Sequence, residues 1–314
     1  MTDSQTIAVT GGTGFLGAHV LRRLRAGGHT VKALTRQPRR SDDDPLLTWI
    51  QGSLSDREAL ADLVTGTDVV VHMAGAIKAL SRSAFFAANR DGTRALVDAA
   101  RNAGVGKFVL VSSLAAREPA LSPYAASKRA GEFCLEQNAG MMDTVVLRPP
   151  AIYGPGDRET ARLFQMAANG FVLAPSGPDA RVSMIHAADA ASAVEACCVA
   201  DQPARPLEIG DGAGDGYTWT DLAEAASGAV AREVKLIRLP DVFLWSAGAF
   251  GTLSGALTRR PAMLTLGKVP ELLHPDWVAR GPLPHGWEPQ WTLKNGFKDS
   301  VEWCSSQNIL KRYF

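Results

Sequence analysis

A chain of 314 residues is long enough for one large domain or two smaller ones, and 46% hydrophobic with 21% charged residues is ordinary globular composition, which excludes a disordered or fibrous protein. Lys plus Arg number 33 against 32 for Asp plus Glu, so the net charge of +1 leaves no basic footprint for nucleic acid. The four cysteines, Cys134, Cys197, Cys198 and Cys304, form no C-x-x-C pair; this argues against a disulfide framework or structural zinc, no metal is expected, and a reducing compartment is the simpler reading.

The N-terminal residues run straight into an apolar strand without a basic and apolar leader, so the expectation is a cytoplasmic protein with no secretory signal. Ile7–Thr10 is short and β-branched, and Phe15–Arg25 repeats apolar residues at helical spacing. Strands are then predicted over Thr30–Leu34, Leu47–Gln51, Asp68–His72, Phe108–Ser112 and Thr144–Leu147, and helices over Arg57–Val64, Phe85–Asn102 and Tyr124–Gln137. Repeated β-α units with non-alternating apolar strands imply a parallel sheet covered on both faces, and right-handed crossovers make it an α/β, doubly wound fold of Rossmann type. After Arg148 the units appear in pieces (Val182–Ile185, Ala187–Ala200, Pro206–Ile209, Thr220–Ala226). The expected division is a dinucleotide-binding domain over 1–150, with 179–210 returning to it, and a smaller, interleaved substrate region over 151–178 and 211–314.

Gly11-Gly12-Thr13-Gly14-Phe15-Leu16-Gly17 lies between the first strand and the first helix and spaces its glycines G-x-x-G-x-x-G. Glycine lets the backbone turn sharply and approach a pyrophosphate, and the helix N-terminus offers unpaired N–H groups to the phosphates. A carboxylate at the end of the second strand would favour NAD. Thr35 stands there, Arg36 follows, and Arg39 and Arg40 lie close behind. A guanidinium suits a 2′-phosphate, so the expected cofactor is NADP(H) rather than NAD(H).

Tyr124 and Lys128 are four apart on a predicted helix, hence on one face. An ammonium beside a phenol favours the phenolate and brings a group of ordinary pKa about 10 toward neutrality. Ser113, ending the preceding strand, is placed to hydrogen-bond a carbonyl oxygen as charge builds on it. All three fall at the C-terminal ends of parallel strands, where such sheets bind ligands.

With these residues go Val71-His72-Met73-Ala74-Gly75, Asn89 with Gly92-Thr93, Val111-Ser112-Ser113, the Arg148 to Asp157 segment, and Ile185-His186 with Asp189. Over most of its length the chain thus resembles the extended short-chain dehydrogenases/reductases, a group related to NAD-dependent epimerase/dehydratases and 3β-hydroxysteroid dehydrogenases. The resemblance implies that Tyr124 is the general acid in ketone reduction and the base in alcohol oxidation. Lys128 would hold the nicotinamide ribose and Ser113 the substrate oxygen. It further implies cofactor contacts from Gly11, Thr13, Gly14, Phe15, Leu16, Gly17, Thr35, Arg36, Ser53, Leu54, Ala74, Gly75, Asn89, Ser112, Pro149, Ala151 and Ile152. Two departures stand out. The usual Gly-Asp-Leu is Gly52-Ser53-Leu54 here, and the interval from Ser113 to Tyr124 is a short 11 positions.

The longest uncharged stretch is Val242–Thr258, 17 residues at the lower limit of a membrane span and interrupted by Gly248, Gly251 and Gly255. It belongs to an apolar region, 236–266, readable as a core helix or as a lid over a lipid-like substrate that docks on a membrane surface. The Trp residues at 277, 287, 291 and 303 read as packing groups, as does His186. The expected function is reduction of a ketone, or oxidation of the alcohol, on a small hydrophobic substrate such as a sterol, a β-keto acyl lipid or an oxo-sphingolipid. Bacterial ceramide reductases are among the relatives the resemblance suggests. Two alternatives stay open: a nucleotide-sugar epimerase/dehydratase, and a non-catalytic NADPH-binding subunit like that of respiratory complex I. The chain is expected to be a monomer or a homodimer pairing through helices like 85–102 and 122–138, with peripheral contact to the inner membrane surface open.

Overall fold

The structure, a computed structural model, describes residues 4–39, 44–175 and 177–310. The chain forms two compact units. The first comprises Met1–Arg148, Ala191–Glu208 and Gly281–Trp287, and the second Pro149–Ala190, Ile209–Arg280 and Glu288–Phe314.

The first unit follows the β-α alternation of its sequence: β1 (Thr6–Thr10), α1 (Phe15–Ala26), β2 (Thr30–Thr35), β3 (Leu47–Gln51), α2 (Arg57–Val64), β4 (Val69–His72), α3 (Arg82–Phe86), α4 (Gly92–Asn102), β5 (Lys107–Val111), α5 (Pro123–Asn138) and β6 (Asp143–Arg148). With the short strand Leu207–Glu208 these make a seven-stranded sheet, ordered Leu207–Glu208, β6, β5, β4, β1, β2, β3. Every pairing in it is parallel. Ile7, Ala8, Val9, Val70 and Val71 are wholly buried, as strands covered on both faces require. One face of the sheet packs Leu60 and Leu63 of α2, Leu96 and Val97 of α4, and Leu135 of α5 around Phe108. Strand order reverses at β1, which lies between β2 and β4, so the switch point opens where Thr10 and His72 end adjacent strands.

The turn from β1 to α1 depends on two glycines. Gly11 has φ +79°, and a Cβ there would stand 2.7 Å from the backbone N of Ala74. At Gly17 a Cβ would collide with the carbonyl oxygen of Gly11 and lie 2.7 Å from the Cα of Gly12. Gly17→Ala is therefore expected to destabilise the protein by about 1–3 kcal/mol, measured by chemical denaturation, because backbone rather than a flexible side chain must move.

In the second unit Ala151–Tyr153 pairs in parallel with Met184–His186, Phe171–Ala174 with Lys235–Arg238, and Arg181–Val182 lies between Tyr217–Thr218 and Asp276–Trp277. The single strand predicted over Val182–Ile185 is two strands. At Ser183 the backbone N–H goes to the Trp277 carbonyl and the hydroxyl accepts from Ala279 N–H, so the chain changes sheets at that residue. The remaining helices are α6 (Ala161–Ala168), α7 (Ala187–Val199), α8 (Trp219–Val230), α9 (Asp241–Thr258), α10 (Val269–Leu273) and α11 (Leu293–Ser306). The core here centres on Phe297, edge-on to Tyr153 and to Phe164 at 5.1 Å each. His186 is stacked on Trp291 and hydrogen-bonded to Asp299, in line with a packing role. Along α9 the two readings of region 236–266 divide by face: Leu244, Gly248, Gly251 and Gly255 are buried on one side, while Val242, Phe243, Trp245, Phe250, Leu253 and Leu257 are exposed. No helix among the described residues is long and apolar enough to cross a membrane.

Candidate active site

A cleft of about 1040 Å³ opens along the C-terminal ends of β1, β2 and β4. It brings together Gly11, Thr13, Gly14, Thr35, Arg36, Ser53, Leu54, Ala74 and Gly75 from the predicted cofactor set. At its phosphate end α1 starts from Gly14 with no side chain capping its first N–H groups, which leaves donors and the positive end of the helix dipole facing the cleft. The bare Cα of Gly11 lets the turn close against the backbone of Met73 and Ala74. These features fit a dinucleotide. Phe15, Leu16 and Gly17 form the first turn of α1, where Phe15 is edge-on to His19.

Arg36 is exposed and, among the described residues, has no ion-pair partner. It lines both the cleft and an adjoining hollow of about 400 Å³, shared with Ser53 and Asp56. Thr35 is buried, its hydroxyl spanning the turn to Gln37, and so puts no carboxylate at the end of β2. Asp56 is engaged in capping α2 through Ala59 N–H. Arg39 lies over the Trp49 ring at 5.0 Å, and Arg40 falls outside the described residues.

A buried polar chain ties the glycine turn to α5, and its directions follow from what each group can donate. The Thr93 hydroxyl donates to the Asn89 carbonyl at 2.8 Å, so it accepts from His72 Nε2–H at 3.1 Å. His72 Nδ1 then accepts from the Thr10 hydroxyl at 2.6 Å, and Thr10 Oγ1 accepts from Ala74 N–H. Burial, reinforced by the Lys128 charge, drives the His72 pKa down to about 3 and keeps the ring neutral, as this tautomer requires. Asn89 holds both the N–H and the carbonyl of Ala76, and its amide also donates to Ser127 Oγ, which donates to the Tyr124 carbonyl. The continuous helix predicted over 85–102 is interrupted by one wide π-helical turn, Ala87–Asp91, between α3 and α4. The wide turn carries Asn89 inward to these partners; such turns concentrate at functional sites.

On α5 the Ser122 hydroxyl caps Ala125 N–H and Pro123 opens the first turn. Tyr124 and Lys128 follow on one face, both half-buried. The Tyr124 ring is tilted against Phe85, centroids 6.2 Å apart. Lys128 Nζ donates to the Val111 carbonyl at 2.9 Å, and a Cβ placed on Gly75 would be 3.9 Å from it, so the ammonium stands at the edge of the cleft loop. Burial lowers the Lys128 pKa to about 8, partly offset by the Glu132 charge. Ser113, half-buried, caps the short 3₁₀ turn Leu114–Arg117 by accepting from Ala115 N–H.

Of the other predicted contacts, Ser112, Pro149, Ala151 and Ile152 are not among the residues that line this cleft. The Ser112 hydroxyl donates to Glu132, whose carboxylate also receives two hydrogen bonds from Arg148 and one from Arg129; its side chain serves this buried network rather than the cleft. Pro149, Ala151 and Ile152 belong to the second unit. The residue reading overlooked the wall formed by Ala84, Ala87, Ala88, Asp91 and Ala95. Their helical spacing of small side chains was a usable signal. Among the described residues no cluster of His, Cys, Asp and Glu could hold a metal ion.

Comparison with known proteins follows the same lines. The model of the NAD dependent epimerase/dehydratase family matches residues 7–210. The chain is 42% identical to a ceramide reductase of Caulobacter vibrioides (strain NA1000 / CB15N) over 322 aligned positions, covering 99% of this chain and 98% of the relative. It is 33% identical to a 3 beta-hydroxysteroid dehydrogenase/Delta 5-->4-isomerase of Mycobacterium tuberculosis (strain CDC 1551 / Oshkosh) over 199 positions, 54% of each chain. Among solved structures, MoeE5 in complex with UDP-glucuronic acid and NAD superposes with a TM-score of 0.73 at 21% identity, over 97% of this chain and 100% of that one, a likeness of fold.

Proposed function

Because the chain belongs to the NAD-dependent epimerase/dehydratase family, we propose that it is a nicotinamide-dependent oxidoreductase that reduces a ketone on a lipid-like molecule of the oxo-sphingolipid or oxo-ceramide class. The observation that carries the substrate class is the near full-length similarity to a ceramide reductase. In this reading the first unit holds the dinucleotide and the second recognises the substrate.

The dinucleotide would be held by the Gly11–Gly17 turn, the start of α1 and the Ala74–Gly75 loop, and when bound it supplies the hydride. The Tyr124 hydroxyl gives its proton to the carbonyl oxygen as the carbon receives hydride, so ketone, hydride and proton balance to the alcohol. Lys128 holds a positive charge beside that tyrosine and favours the phenolate left behind. The Ser113 hydroxyl donates to the same carbonyl oxygen and fixes its orientation.

NADPH is the assigned reductant, supported by Arg36 beside Ser53 and the absence of an acid at Thr35. Arg36→Ala is expected to weaken NADPH binding about 10–100-fold and NADH binding less than about threefold, by titration of cofactor fluorescence. Equal losses for the two cofactors would refute the phosphate contact.

The direct test is NADPH consumption by the purified protein on 3-ketosteroid, β-keto acyl, oxo-sphingoid and oxo-ceramide substrates. Turnover confined to the sphingoid and ceramide ketones is the expected result. Tight NADPH binding with no turnover on any of the four overturns the reading and leaves the sugar-nucleotide and scaffold alternatives.

A further inference from the structure

We propose that α9 is a membrane-docking element that lays its outer face on an anionic phospholipid surface; this rests on the second unit alone and stands or falls separately from the reductase reading. Leu244, Gly248, Gly251 and Gly255 turn one side of α9 inward, where Gly248 and Gly251 lie against the backbone of 264–266 and Leu266 N–H bonds the Thr252 hydroxyl. The opposite side presents Val242, Phe243, Trp245, Phe250, Leu253 and Leu257 to solvent, with Phe250 73% and Leu257 76% exposed. At 3.6 residues per turn they fall within an arc of about 160° on one face of a helix about 27 Å long. A contiguous exposed apolar face of this size marks an interaction surface, unlike scattered single side chains.

Two independent features select lipid as the occupant. First, the hydroxyls of Ser246, Thr252, Ser254 and Thr258 all donate to carbonyls of the helix itself. These polar side chains therefore need no water when the helix enters an apolar medium. Second, the charge is placed for an anionic interface. No charged residue interrupts Val242–Thr258, and Lys235 and Arg238 precede the helix while Arg259 and Arg260 follow it, all four exposed. The acids on this flank are Asp241 and the exposed Glu233, outnumbered by the four cations, and among the described residues neither Asp241 nor any of the four cations has an ion-pair partner. Cations flanking an apolar face suit a helix lying in the interface, its apolar side chains among acyl chains and its arginines at the headgroups.

The test is flotation of the full chain with vesicles of phosphatidylcholine alone and of phosphatidylcholine with about 30% phosphatidylglycerol. Two double variants accompany it, Phe250→Ser with Leu253→Ser and Arg259→Glu with Arg260→Glu, each with its melting temperature and oligomeric state measured. Partitioning onto the anionic vesicles about tenfold or more above neutral ones is expected, falling about tenfold or more in each variant at unchanged melting temperature. Absence of flotation, equal partitioning onto both vesicles, or partitioning indifferent to both variants overturns the proposal. A dimer that the serine variant dissolves, with no flotation, assigns the face to a second copy of the chain and equally overturns it.

Discussion

Tyr124→Phe is expected to lower turnover about 10²–10⁴-fold while leaving NADPH affinity within about twofold. The substitution removes one oxygen and keeps the ring, so the packing against Phe85 and the capped start of α5 persist, and stability should change little. What disappears is the proton donor. Retained turnover in this variant would dismiss Tyr124 as the acid and leave another group to protonate the oxygen. The same chemistry sets a pH limb. Lys128 loses its proton as the pH rises through about 8, and with it the positive charge that supports phenolate formation at Tyr124. The kcat/KM for reduction is therefore expected to fall on the alkaline side near that pH, and Lys128→Met should remove the limb together with most of the activity.

The parts of this site that were legible from residues alone are those written in local pattern. The strand, glycine turn and helix around Gly11–Gly17 need only neighbours within a few positions, and the structure joins the turn to Thr35, Arg36 and Ala74 in one cleft. Helical spacing likewise sufficed for Tyr124 and Lys128 to share a face. The break in the predicted helix 85–102 was not legible, because the wide turn at Ala87–Asp91 goes with a tertiary tie from Asn89 to Ala76 and Ser127. The partner of the Ser112 hydroxyl was not legible for a similar reason: it is Glu132, twenty positions away on α5. In α9 the apolar run was plain, but which side faces outward was not. Gly248, Gly251 and Gly255 decide it, since the inward side is the one where the following segment comes close to the helix backbone.

Glu132→Ala is expected to destabilise the protein by about 3–5 kcal/mol, a melting shift of roughly 10 °C. Glu132 is 3% exposed on its side chain and takes two hydrogen bonds from Arg148, at 2.9 and 2.6 Å, besides those from Arg129 and Ser112. Without it the Arg148 guanidinium stays buried with Glu208, 3.6 Å away, as its one ion-pair partner among the described residues, and the Ser112 hydroxyl loses its acceptor. The network joins the end of β5, helix α5, the end of β6 and the strand Leu207–Glu208, so its loss loosens the strand ends that carry Ser113 and position α5. Glu132→Gln separates packing from charge. The amide keeps most of the shape and a hydrogen bond to Ser112, so it should recover part of the stability. It removes the negative charge one turn from Lys128, however, and that charge is what holds the lysine pKa up against burial. The alkaline limb of kcat/KM should then move below pH 8 in Glu132→Gln; an unmoved limb would show that Glu132 supports the fold without tuning the lysine, and a stability loss under about 1 kcal/mol in Glu132→Ala would show that Arg148 is not held there by this pair.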